Sequence, residues 1–169
     1  MLRVGGRRGM RPWITALAVA LAAPAAAAPL DGGTRFSAVR VDVETLRARG
    51  LGGFADAVAR DLQGALARSL ADRLGGPGPV LVVRVSGVSL TAFAGGGGRR
   101  AGRATDTDYL DGEALVVGRG GEVLARHPQL SAVPASSGGA WYDPDSERRR
   151  VTALAEHYAW WLRRGLGLE

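Results

Sequence analysis

The chain has 169 residues, 46% of them hydrophobic, which suits one globular domain with a real core and excludes an intrinsically disordered chain. It has no cysteine, which excludes disulfides, thiolate metal sites, cysteine nucleophiles and a lipidated cysteine. The formal charge is +6 with a pI of about 11.1, but four of the arginines lie within the first eleven residues and every acid lies at or after Asp31. Beyond residue 27 the balance is eighteen arginines against sixteen acids, so the basic pI is no argument for nucleic-acid binding.

The first segment reads as an address. Arg3, Arg7, Arg8 and Arg11 make a positive start, Trp13 to Ala23 an apolar run, and the alanines at 25–27 an A-x-A cleavage pattern. The expected cut follows Ala27, leaving Ala28–Glu169 as a single exported domain, periplasmic or secreted. The apolar run is shorter than the roughly 20 residues of a spanning helix, and Pro24 interrupts it, so a retained anchor is the lesser alternative. Arg7-Arg8 leaves the twin-arginine route open beside the general one.

The mature chain opens with "FSAVRVDV" at 36–43, where Val39, Val41 and Val43 alternate with Arg40 and Asp42 as in a half-buried strand. Over 51–74 the period changes. Leu51, Phe54, Ala55, Val58, Leu62, Ala65, Leu66, Ser69 and Leu70 recur at helical spacing, and Gly75-Gly76-Pro77 ends the predicted helix. "PVLVVRVSGVSLTAF" at 79–93 is a strand in which the apolar parity slips at Gly87, predicting a β-bulge. The stretch 108–117 is a third strand with Leu110, Ala114 and Val116 inward, "GRGG" a tight turn, and 122–127 the return strand of a hairpin.

Residues 128–146 read as a long surface loop. Asp143-Pro144 then resembles a cap before a last helix over roughly 144–164, with Val151, Leu154, Ala155, Tyr158, Trp161 and Leu162 as its apolar stripe. The order β-α-β-β-β-α predicts an α+β two-layer sandwich. Its four-stranded mixed sheet has the first two strands parallel, the rest antiparallel, and two helices on one face.

Chemistry is sparse. The glycine run at 95–98 joins two strands; it has no lysine and no following helix, so a loop is expected rather than a phosphate cradle. Arg99, Arg100 and Arg103 beside it are candidates for an anion contact with a lipid or glycan. Arg148-Arg149-Arg150 opposes the dipole of the helix it opens and is expected to be neutralised by Asp143, Asp145 and Glu147 on a solvated surface. His127 and His157 lack metal-ligand spacing, no cofactor fingerprint is present, and "GVSLT" at 87–91 is not a nucleophile elbow. Asp106, Asp108, Asp143 and Asp145 read as turn and cap residues, so no catalytic residue is assigned.

The best partner-binding candidates are Trp141 and Tyr142, two aromatics among Ser, Gly and Pro that either anchor a partner or fold back over the core. Trp160 lies at the margin of the stripe, free to pack at the sheet edge or meet a partner.

The succession of leader, "SAVRVDV", a helix ending "LADRLGG", "VLVVRVSGVSL", hairpin and closing helix resembles small envelope proteins of Gram-negative bacteria. Among them are the activator lipoproteins of penicillin-binding proteins, the curli-secretion lipoprotein and the N-terminal domain of the Tol propeller protein. The likeness is one of layout over about 36–165, and the chain departs from it by having no lipid-anchor cysteine. It implies a nonenzymatic adaptor in envelope assembly or transport. Taken with the residues themselves, the expectation is an adaptor contacting an envelope protein or an anionic lipid or glycan, with no nucleic acid, no cofactor and no stable membrane span after processing. The competing class is a small periplasmic hydrolase; oligomeric state stays open.

Overall fold

The computed structural model describes residues 30–91, 107–140 and 142–169. The elements are β1 (Ala38–Asp42), α1 (Glu44–Ala48), α2 (Gly52–Ser69), β2 (Val80–Ser89), β3 (Thr107–Val117), β4 (Val123–Pro134) and α3 (Ser146–Gly165), with single 3-10 turns at Ala71–Arg73 and Ala135–Gly138. The sheet order is β1-β2-β3-β4: β1 and β2 are parallel, the other pairs antiparallel. This is the α+β arrangement that the hydrophobic periods predict, with helices on one face.

The core lies between that face and the helices. Val39, Leu81, Val83 and Val85, Leu110, Ala114 and Val116, and Val133 come from the sheet, with Val43 just beyond β1. Val58, Leu62 and Leu66 of α2 and Leu154, Tyr158 and Leu162 of α3 close over them. The β2–β3 register slips between Val85 and Gly87, and beyond the slip Val88 and Leu90 still pack on the core. One extra residue thus preserves the apolar face where strict alternation would have lost it.

Several boundaries differ from expectation. The α2 helix stops at Ser69 rather than 74, because Leu74 is already extended and bridges to Phe36. A short helix, α1, follows β1: the Asp42 carboxylate accepts the Glu44 N–H at 2.9 Å, Leu46 is buried, and Gly50 ends the turn with φ near +80°.

The largest correction is at 128–134, expected as loop. It continues β4, with His127, Gln129, Ser131 and Val133 alternating toward the helices. Pro128 and Pro134 are tolerated because β4 is an edge strand and neither proline is asked for a ladder donor. The α3 helix begins at Ser146, two residues later than expected; the Asp143 carboxylate accepts the Asp145 N–H at 2.9 Å, so it shapes the turn before the helix rather than capping it.

Candidate functional site

The three consecutive arginines at the start of α3 each reach a different element. Arg148 pairs with both carboxylate oxygens of Asp61 of α2, and one of them, Oδ2, also accepts from the Thr152 hydroxyl at 3.1 Å. Arg149 pairs with Asp143 at 2.7 Å and donates to the Gly138 carbonyl at 2.8 Å. Arg150 is 4% exposed and grips Asp108 of β3 through both Nε, at 2.6 Å, and Nη2. The expectation that Asp143, Asp145 and Glu147 neutralise the triplet holds in part: Asp143 takes Arg149, while Arg148 and Arg150 find their carboxylates on α2 and β3.

The Asp108 pair anchors the β2–β3 connection. The Asp108 carboxylate also accepts the Thr91 N–H at 2.9 Å, the Thr91 hydroxyl donates to the Thr107 carbonyl at 3.0 Å, and Arg150 donates to the Thr91 carbonyl at 2.9 Å. Both flanks of segment 92–106 are therefore bound to one arginine. A carboxylate and guanidinium withdrawn from water together need this bidentate geometry and these extra hydrogen bonds to offset their desolvation. Asp108 is a core-facing ion-pair member rather than a turn residue, and its signal was legible: it shares parity with Leu110, Ala114 and Val116.

The other candidate loop leaves from the same place. The 3-10 turn Ala135–Gly138 packs on the first turn of α3 so tightly that a side chain at Gly138 would collide with Arg150 and the Ser146 carbonyl. Tyr142 is 75% exposed. Trp141, Arg99, Arg100 and Arg103 lie outside the described residues, as does the leader. A shallow depression lined by Phe54, Ala57, Pro144, Glu147, Arg148 and Val151 opens at this end.

The far end of α3 overturns another expectation. Trp161 is 45% exposed and Trp160 49%, so Trp161 does not belong to the buried stripe; Tyr158, Ala159 and Leu162 fill it. The indoles meet edge to face at 4.8 Å, and the Arg164 guanidinium lies over both, 4.9 and 5.5 Å from their centroids. The Trp161 N–H donates to His157 Nε2 at 2.9 Å. Burial lowers the affinity of both His157 and His127 for a proton. His127 sits against Gly165, and no cluster of three potential metal ligands occurs among the described residues.

Among the described residues no helix is long and apolar enough to cross a membrane. No protein-family model and no curated relative matches the sequence. A solved structure, the PelC dodecamer from Paraburkholderia phytofirmans, aligns with 83% of this chain and 94% of that chain at 10% identity and a TM-score of 0.46. A likeness of that size carries no inference about activity.

Proposed function

We propose that the chain is an exported, nonenzymatic adaptor or binding domain of the periplasm, working in cell-envelope assembly or transport. Its contact surface is the end of the fold around the first turn of α3, and it meets a protein partner or an anionic envelope component there. The observation that supports this reading is the arginine triplet. One helical turn fastens the flanks of the glycine–arginine segment 92–106 and of the aromatic segment 139–145 to the same rigid body. Two segments of complementary chemistry rooted side by side suit one composite surface: cationic groups at Arg99, Arg100 and Arg103, aromatic anchors at Trp141 and Tyr142.

The test is crosslinking of the tagged full-length chain in a native or closely related host, with identification of what co-purifies with the processed form. One dominant envelope partner, lost on Trp141→Ala/Tyr142→Ala or on Arg99→Ser/Arg100→Ser/Arg103→Ser with the melting temperature unchanged, is the expected result. A processed form with no enriched partner, or turnover in a hydrolase substrate screen, overturns it.

A further inference from the structure

Near the C-terminal ends of α2 and α3 the two helices leave a groove of about 320 Å³ between them. Ala65 and Ala159, both buried, form its floor, and Arg68, Ser69, Glu156 and Trp160 line it above them. The floor lies open because neither alanine reaches beyond its Cβ. The volume is at the small end of ligand sites.

Few polar groups are on offer there. The Leu66 and Arg68 carbonyls accept the Leu70 N–H, and the Ser69 carbonyl accepts from Arg163. The Ser69 hydroxyl donates to the Ala159 carbonyl at 3.3 Å. What remains is the ion pair of Arg68 and Glu156, one from each helix, 3.3 Å apart with side chains 66% and 60% exposed. That contact uses one carboxylate oxygen and one arm of the guanidinium. Further N–H donors and a second carboxylate oxygen therefore stay available side by side.

Trp160 supplies an apolar wall. It is half in water, yet it is braced: Trp161 meets it at 82° and 4.8 Å, and the Arg164 guanidinium lies 4.9 Å from its centroid. A wall held in advance loses little freedom when a ligand arrives.

These features restrict the occupant. It carries no net charge, since the guanidinium and the carboxylate cancel. It accepts from one and donates to the other through neighbouring atoms, and it turns a C–H surface to an indole. A trans peptide unit fails the second condition, because its N–H and C=O point in opposite directions. Vicinal hydroxyls on a sugar ring meet it. The ring C–H groups, polarised by the oxygens beside them, are drawn to the electron-rich face of an aromatic ring.

We propose that the groove is a binding subsite for one ring of a neutral glycan, with Trp160 as the stacking platform and Arg68 and Glu156 as the hydroxyl clamp. This site is separate from the loop surface at the start of α3, and Trp141→Ala/Tyr142→Ala leaves it intact, so either reading can fail without the other.

NMR titration of the processed full-length chain tests it, with cello-, malto- and chito-tetraose as neutral probes and tetragalacturonate and a glucosamine tetramer as charged ones. The expected result is saturation transfer to ring C–H protons of at least one neutral probe, a shift of the Trp160 indole resonance, and a Kd on the order of 1 mM, as a single open subsite gives. Trp160→Ala should weaken binding at least about tenfold, and Trp160→Phe should retain most of it. Glu156→Gln leaves Arg68 without its counter-charge and should make the galacturonate the preferred probe. Circular dichroism verifies that each variant is folded. No transfer from any neutral probe at about 10 mM, binding indifferent to Trp160→Ala, or a parent chain that prefers a charged probe overturns the proposal.

Discussion

The two ends of α3 invert the usual placement of residue types. At its start a guanidinium is 4% exposed; three turns later two indoles stand nearly half in water. What separates them is what lies opposite. Arg150 faces Asp108, a carboxylate at a core-facing position on a central strand, and the Thr91 carbonyl. Trp161 lies on the flank of α3, off the line of Leu154, Tyr158 and Leu162, and its indole turns to His157 and Arg164 on its own helix. A charge is buried when the fold supplies its counter-charge, and an aromatic stays out when no layer closes over it.

The largest effect that would break this contrast is at Arg150. Arg150→Ala leaves the Asp108 carboxylate buried without its cation, which should cost about 3–5 kcal/mol and lower the melting temperature by on the order of 10 °C. Asp108→Leu/Arg150→Met should recover most of the loss, since paired apolar replacements remove the desolvation cost with the interaction. Thermal melts by circular dichroism measure both, and a single variant that melts like the parent would show the pair to be dispensable.

A smaller effect is expected midway along the helix. The Tyr158 hydroxyl lies over Gly112, where an added Cβ would come within 2.6 Å of the Arg84 carbonyl and 3.3 Å of that hydroxyl. Gly112→Ala should therefore destabilise by about 1–3 kcal/mol through overpacking, read from the shift in urea midpoint. Trp161→Ala, by contrast, should cost under about 1 kcal/mol, as exposed substitutions do. An equal loss at Trp161 and Arg150 would dissolve the comparison.

The pH dependence sharpens it at the far end. Arg163 holds the Asp72 carboxyl at about 2 through two hydrogen bonds, against 3.8 for a free aspartate. A carboxyl with a depressed folded value contributes stability above the unfolded value, so this tie is lost as pH falls from about 3.8 through about 2. Burial depresses His157 as well, below 6.5. The unfolded chain then takes up its proton first, so stability declines as pH drops below 6.5. Protonation also removes the Nε2 acceptor from the Trp161 N–H, which indole fluorescence should register between neutral and mildly acidic pH. His127, shifted the same way, is controlled with His127→Gln.

The element order was legible because it rests on local periods. Alternation marked β1 to β3, helical spacing marked α2 and α3, and a one-residue slip at Gly87 marked the bulge. The misreadings came from local signals that tertiary position overrode. Pro128 and Pro134 read as loop, yet an edge strand does not need their N–H groups. Trp161 fell within the apolar spacing of α3, but spacing alone does not say how wide the covered stripe is. For the candidate site, Tyr142 was read from sequence and is exposed, while Trp141, Arg99, Arg100 and Arg103 lie outside the described residues. Asp143 was read as a partner of the arginine triplet and takes Arg149, whereas the tie of the 92–106 flanks to Arg150 was not read, since partners 42 and 59 residues apart leave no periodic trace.

By itself, then, the sequence determined which segments are strands and helices and which side of each is apolar, because those properties repeat within a few residues. Only the tertiary structure decided which charges are buried together and which aromatics remain in water. Those outcomes depend on what stands opposite a side chain across the fold, and nothing in a residue's sequence neighbours sets that.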